Sequence, residues 1–196
     1  MLILQLLSTV RVLKMEKENV TDLRKHLLQR HLNLELHRPF LDEELNIATF
    51  YCWNLSGQLV GYQQYNPNGD KKIFNSKLEG KYYTYRNKNH QTVVVWGTES
   101  LYQSDGVVYL TEGIFDAARM TNVGQSALAA MANNPPKDYR NWLQMLNRPV
   151  VAVCDNDDAG RKLAKFGNYV EVVPDGKDLG DAPDDYVRYL LNKYAT

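Results

Sequence analysis

Two short stretches of this 196-residue chain carry the residue types that hold a divalent cation. The first, Leu110-Thr111-Glu112-Gly113-Ile114-Phe115-Asp116, reads as a strand end turning into a helix, with Gly113 permitting a tight turn. Its two acids, Glu112 and Asp116, stand four residues apart, the spacing that puts side chains on one helix face. The second, Val153-Cys154-Asp155-Asn156-Asp157-Asp158-Ala159-Gly160, is again a buried strand ending in carboxylates before a helix. Asp155, Asp157 and Asp158 repel one another, and a cation relieves that repulsion. A third acidic stretch, from Pro174 through Asp175, Asp178 and Asp181, follows the next expected strand and is placed to complete the site. Oxygen-only ligands at a partly open site suit Mg²⁺, which keeps waters and takes carboxylates together with substrate phosphates. Each cluster alone also reads as a helix cap, because helix N-termini favour Asp and Glu. Their recurrence on consecutive strand ends favours the metal site.

A second kind of chemistry is concentrated just upstream. Between residues 71 and 88 lie Lys71, Lys72, Lys77, Lys81, Arg86 and Lys88 against the single acid Glu79, with Tyr82, Tyr83 and Tyr85 interleaved. Cations for phosphates and rings for unpaired bases are what single-strand binders combine. A solvated hairpin face has the same composition, and the stretch alone does not choose between them.

The elements that must position these residues follow from periodicity. Leu23, Leu27, Leu28 and Leu32, with Val20, recur at helical steps within residues 1–46, and Asn19 or Thr21 is placed to cap that helix. His26, His31 and His37 are spaced five or six apart, which does not bring imidazoles onto one helix face, so they read as packing or solvated residues. Ala48–Trp53 and Gln58–Tyr65 form a hairpin pattern around Asn54-Leu55-Ser56-Gly57, and Pro67-Asn68-Gly69-Asp70 supplies the next turn. Apolar runs at 92–96, 107–110, 126–131, 149–154 and 169–173 read as strands. Segments 114–121, 138–146, 159–166 and 183–194 read as helices. Alternation of this kind predicts a parallel sheet covered by helices on both faces, with ligands at the edge where the strands end.

Composition bounds the rest. At 44% hydrophobic and 23% charged residues the chain is an ordinary globular protein rather than a disordered one. Lysine plus arginine and aspartate plus glutamate both number 23, so net charge makes no global case for a polyanionic partner. Cys52 and Cys154 cannot build a tetrahedral zinc site between them, and free thiols suit a reducing cytoplasm. The opening Met-Leu-Ile-Leu-Gln-Leu-Leu lacks a basic flank, and no run approaches a membrane span, so a cytoplasmic protein without membrane contact is expected.

Glu112-Gly113-Ile114-Phe115-Asp116, Asp155-Asn156-Asp157-Asp158-Ala159-Gly160-Arg161 and Gly176-Lys177-Asp178 resemble the three signatures of the Toprim domain of primases, topoisomerases and certain nucleases, in its DnaG-type primase form. Upstream, Leu55–Tyr62 and Gly80-Lys81-Tyr82 are similar to segments that precede the Toprim domain in those primases. The resemblance implies an α/β fold: a Toprim-like, Rossmann-type parallel sheet over 105–196, a smaller basic α+β subdomain over 47–104, and a helical segment over 1–46. It also implies Glu112, Asp155 and Asp157 as catalytic metal ligands, supported by Asp116 and Asp178, with Mg²⁺ as cofactor and Mn²⁺ as its substitute. Lys71, Lys72, Lys81 and Arg86 would neutralise phosphates of ribonucleoside triphosphates or a single-stranded DNA template, and Tyr82 and Tyr85 would stack bases. A replicative helicase or polymerase is the implied protein partner. The family's zinc module has no counterpart in two cysteines, no phosphate-loop motif signals a fused helicase motor, and Gln63-Gln64-Tyr65-Asn66 stands where many relatives carry a basic residue. A minimal core of the sort phages encode is expected, with a Toprim nuclease or a non-catalytic single-strand-binding accessory protein as alternatives.

Overall fold

The computed structural model describes residues 22–87, 93–132, 138–174 and 178–195. Val20, Asn19, Thr21, Lys88, Asp175, Gly176 and Lys177, all named above, and position 92 of the run 92–96 lie outside the described residues. The chain begins with helix α1 (Asp22–Gln29), which buries Leu23 and Leu27. Leu32 joins them in the core just beyond the helix, whereas Leu28 is half exposed and does not share the packing face. The helical pattern does not run on to residue 46. A single turn, α2 (Leu34–His37), is capped by Asn33, and Arg38 then takes a left-handed backbone (φ 44°). Pro39 cannot continue a helix from there, and Phe40–Asp42 instead forms strand β1.

Strands β2 (Ile47–Trp53), β3 (Leu59–Tyr65) and β4 (Tyr82–Arg86) complete an antiparallel sheet in the order β1-β2-β3-β4. The hairpin read from sequence is present, with Asn54 and Gly57 in its turn. Because side chains alternate across a strand, Phe50 and Tyr65 go to the core and Tyr51 and Tyr62 go outward. The register places Tyr51 opposite Tyr62, and Tyr62 opposite Tyr85.

The second half alternates as expected: β5 (Val108–Thr111), α3 (Ile114–Thr121), β6 (Ala127–Ala129), α4 (Asp138–Met145), β7 (Val150–Cys154), α5 (Asp158–Leu163), β8 (Tyr169–Val172) and α6 (Asp184–Lys193). Its four strands are parallel, in the order β6-β5-β7-β8. Residues 93–96 are buried but form no strand of this sheet. Trp96 makes one antiparallel bridge to Ala129 and nothing more regular. Alternate residues of the central strands enter different cores. Tyr109, Val151 and Val153 face α3 and α6, while Val108, Leu110 and Ala152 face α4 and α5. Helices therefore cover both faces, which explains why the strands read as unbroken apolar runs.

The α3 side of this sheet is also the core of the antiparallel sheet. Leu23, Leu27, Phe50 and Tyr65 form one cluster with Phe115 and Met120, and the Phe50 and Tyr65 rings meet Phe115 edge-on at 6.0 and 4.9 Å. Leu27→Ala removes a fully buried side chain from that shared core. It is expected to cost about 2–5 kcal/mol, read as a lower urea midpoint with an unchanged slope.

Candidate metal and nucleotide site

The strand order changes direction between β5 and β7: the chain steps from β5 to β6 on one side and later to β7 on the other. Open α/β sheets bind ligands in the crevice at such a switch point, beyond the strand C-termini. Glu112 follows β5 and Asp155 follows β7, so the first acids of the two clusters flank this position.

Local geometry explains the spacing of both motifs. After β7 the chain folds back so that the Asp157 amide donates to the Asp155 carbonyl at 2.9 Å. The Asp157 carboxylate caps α5 by accepting from the Gly160 amide at 2.8 Å. A side chain at position 160 would collide with the Asp155 carbonyl oxygen, so this turn demands glycine. After β5, the buried Asp116 carboxylate reaches back to accept from the Gly113 amide at 3.0 Å, and its other oxygen accepts from the Gly180 amide at 2.8 Å. Asp116 thus ties the first acidic turn to the third acidic segment. Asp178 caps the short 3₁₀ turn Leu179–Asp181 by accepting from the Asp181 amide. Asp116 and Asp178 flank Gly180, where a Cβ would stand 3.2 Å from an oxygen of each.

The carboxylates feel one another. Burial, then the charges of Asp155 and Asp157, pushes Glu112 up to about 7. Burial, then Asp178 and Asp157, raises Asp155 to about 6. Burial and Asp178 likewise raise Asp116, against the pull of its two amide hydrogen bonds. Glu112 Oε1 is buried and accepts no hydrogen bond, an oxygen with lone pairs and no partner. Among the described residues no three acid, histidine or cysteine donors already converge as a closed cage. The donor set nevertheless fits Mg²⁺, which is held by one or two carboxylates, waters and substrate phosphates rather than by a complete protein shell. Glu112, Asp155 and Asp157 have oxygens to offer, whereas Asp116 spends an oxygen on each of two backbone amides and works as a brace.

The basic residues fall into two groups. Lys81 lies 6.0 Å from the Tyr65 ring, and its ammonium is destabilised by burial and by the charges of Lys71 and Arg30. Arg30, a residue without apparent chemistry in the sequence, sits 4.5 Å over the Phe115 ring and pairs loosely with Asp178 and Asp181 at 3.8 and 3.6 Å. It also stands beside Tyr65, so a cation from α1's end occupies the neighbourhood where Gln63-Gln64-Tyr65-Asn66 supplies none. Tyr82 packs on Tyr65 at 5.3 Å, facing Asp116 and Asp178 and half-buried. Lys71 and Lys72 are exposed on the preceding loop. Tyr85 is on the opposite face of the sheet, stacked on Tyr62 at 5.2 Å. Arg86 is at the far end of β4, within electrostatic reach of Cys52. The structure thus sets Tyr82 and Arg30 beside the acids, puts Lys81 within electrostatic reach of Arg30 and Lys71, turns Tyr85 to the other face of the sheet, and leaves Arg86 on the same face as Tyr82.

The histidines have separate structural employment: His26 bonds the Tyr65 hydroxyl at 2.7 Å, and His37 bonds Asn122 at 3.0 Å while packing on Trp96. Both thiols are buried and pushed up to about 12 by desolvation. No described helix is long and apolar enough to cross a membrane.

No family model matches the sequence, and no curated protein sequence does either. Solved structures do match, and they define the class: the chain has the fold of DnaG primase catalytic cores. It superimposes on a DnaG catalytic core with a TM-score of 0.64 at 14% identity, over 96% of this chain and 79% of that one. A DnaG catalytic domain bound to single-stranded DNA gives 0.62 at 14% identity, over 96% and 80%. The primase fragment of the bacteriophage T7 primase-helicase gives 0.52 at 14% identity, over 76% of this chain and 62% of that fragment.

The raised carboxylates fix the sign of a pH effect. Glu112 and Asp155 bind more protons folded than unfolded between the ordinary carboxylate range and about 7. Their contribution to stability is therefore complete below that range and lost as pH rises through it. Thermal melts in chelator are expected to show stability falling over this window, less steeply in Glu112→Gln. Millimolar Mg²⁺ at pH 7.5 should restore it by binding the folded state alone. Asp116→Ala should behave oppositely to Glu112→Gln, destabilising the protein by about 1–3 kcal/mol for each amide left buried and unpaired.

Proposed function

We propose that this protein is a metal-dependent, primase-like nucleotidyltransferase that makes short RNA primers on single-stranded DNA. The observation that carries the reading is the unpartnered, buried Glu112 oxygen beside Asp155 and Asp157 at the switch point of a DnaG-type fold. The Toprim resemblance of the same residues points the same way.

Glu112, Asp155 and Asp157 would hold Mg²⁺, or Mn²⁺ in its place. When bound, the metal supplies positive charge to the entering and leaving oxygens of an in-line phosphoryl displacement. Around it, each residue of the chain has a separable task. Asp116 holds the Gly113 turn and the Gly180 segment in register, so that Glu112 and Asp178 approach from either side of Asp155. Asp157 keeps α5 capped while presenting its carboxylate at the strand end. Lys81 and Lys71, with Arg30 beside them, form the cationic wall against which the triphosphate of an incoming ribonucleotide would lie. Tyr82, facing the acids from the antiparallel sheet, would border the nucleotide rather than reach a distant template. The neighbour bound to single-stranded DNA supports a DNA template. The phage primase-helicase fragment supports a helicase as a partner; a replicative polymerase is the other partner the reading proposes, with this chain in the cytoplasm.

The test is incorporation of labelled ribonucleotides on mixed-sequence single-stranded DNA with Mg²⁺, Mn²⁺ or chelator. Metal-dependent oligonucleotides are expected from the wild type. Asp155→Asn and Glu112→Gln should lower their yield at least a hundredfold, about 2.7 kcal/mol of barrier. Asp157→Asn, which keeps an N-cap acceptor, should lose synthesis without losing stability. Shortening of the labelled DNA in place of synthesis would make the protein a nuclease, and neither product would leave an accessory binding protein.

A further inference from the structure

Among the described residues, the face of the antiparallel sheet that turns away from Phe115 carries a group of aromatic rings, several of them open to solvent. Tyr51 and Trp53 on β2, Tyr62 on β3, and Tyr83 and Tyr85 on β4 share this face by strand alternation and register. Tyr51, Trp53 and Tyr85 are 38%, 37% and 45% exposed. The rings form two groups, Tyr51 with Trp53 at 6.2 Å, and Tyr62 with Tyr85 at 5.2 Å and nearly parallel and with Tyr83 at 6.4 Å; the strand register sets Tyr51 opposite Tyr62. The Lys77 ammonium lies over two of them, 5.8 Å from Tyr62 and 5.5 Å from Tyr83.

From this face we infer that the sheet is a stacking platform for single-stranded DNA, distinct from the carboxylate edge. The charge pattern selects that occupant. No aspartate or glutamate occurs in β2, β3 or β4, although the chain as a whole is as acidic as it is basic. The loop that brings Lys77 onto the rings carries Lys71, Lys72, Lys77 and Lys81 against Asp70 and Glu79, a net positive segment. Lysine is depleted from protein–protein interfaces, whereas rings flanked by lysine are how sequence-tolerant single-strand binders hold bases and phosphates together. An antiparallel sheet presenting aromatics is also a geometry on which unpaired bases stack. Tyrosine and tryptophan suit the task because their polar tips stay wet while their faces are covered.

The platform cannot be the carboxylate site under another name. Tyr82 and Tyr65 occupy the inner face, Tyr82 packed on Tyr65 and Tyr65 on Phe115, so the sheet itself stands between the two surfaces. The inference rests on the reading that this chain acts on single-stranded DNA, and gives the unpaired strand a place to lie away from the reacting end.

The experiment is fluorescence anisotropy of a labelled dT16 oligonucleotide with the full chain in chelator, where no synthesis occurs. The wild type is expected to bind. Tyr85→Ala and Trp53→Ala should each weaken binding between about five- and a hundredfold, the range for loss of one stacked base. Tyr85→Phe should bind like the wild type, since it keeps the ring, and Lys77→Glu should weaken binding and flatten its salt dependence. Melting temperatures close to wild type would establish that these exposed substitutions leave the fold intact. Unchanged affinity in folded Tyr85→Ala and Trp53→Ala proteins would overturn the platform, as would loss in Tyr85→Phe equal to that in Tyr85→Ala. Failure of the wild type to bind dT16 would also overturn it and leave the face to a protein partner. Primer synthesis with unaltered binding in every variant would sink the platform alone; ring-dependent binding without synthesis would sink the primase reading alone.

Discussion

A buried carboxylate that accepts backbone amides on both oxygens organises this molecule. Asp116 takes the Gly113 amide from its own helix entry and the Gly180 amide from a segment that follows β8, two strands away from β5 in the sheet. Those two bonds fix where Glu112 leaves β5 and where Asp178 returns, and Asp155 is left between them. The same closure concentrates negative charge. Burial and mutual repulsion raise Glu112, Asp155 and Asp116 together, so the edge is held in an arrangement that the acids alone would relax. Capping interactions hold it there: Asp157 on α5 and Asp178 on the 3₁₀ turn are each anchored by a backbone amide, and the Arg30 pairing with Asp178 is a loose one at 3.8 Å. A site whose acids are positioned by amides keeps oxygen lone pairs available for a cation, which an acid locked in a close ion pair would not.

The parallel half was legible in the sequence for a physical reason. Strands buried on both faces read as continuous apolar runs, as in Val150–Cys154, and the acids that end them are too polar to continue inside. Helix Ile114–Thr121 falls where its pattern and the preceding glycine place it. The antiparallel half was less legible. Phe40–Asp42 is three residues long and is a strand only because β2 pairs with it, from Phe40 opposite Thr49 to Asp42 opposite Ile47. Residues 93–96 have the β-branched composition of a strand, yet their partners allow one bridge, at Trp96. Composition cannot count available partners.

For the candidate site, residue types and spacing point to the acids, and tertiary packing shows what each is bonded to. Asp116 reads as a supporting acid in the sequence, and the Gly180 amide, 64 residues on, is what shows it tying two segments together. Arg30 gives no signal at all, because an arginine after an amphipathic helix is ordinary; the docking of Leu23 and Leu27 is what brings it over Phe115. Tyr82 and Tyr85 belong to one basic, aromatic stretch, but three residues along a strand is an odd number of steps, which sends them to opposite faces. The period of two was readable; which face was buried required Tyr65 and Phe115.

Exact balance between acids and bases conceals their segregation. Acids gather after β5, β7 and β8, while Lys71, Lys77 and Lys81 gather on the loop between β3 and β4, with Arg30 at the seam. A polyanion approaching such a surface meets attraction on one side and repulsion on the other. On the basic, aromatic side it would bind through its charge and its bases without any metal. Near Glu112 and Asp155 its phosphates would face carboxylates in a partly buried edge, where screening by solvent is weakest. A divalent cation would reverse the sign of that field locally, and on the proposed function it would be needed for the approach of a triphosphate before any chemistry. The proposed metal-dependent synthesis and metal-independent strand binding would then both follow from one charge distribution acting at two places.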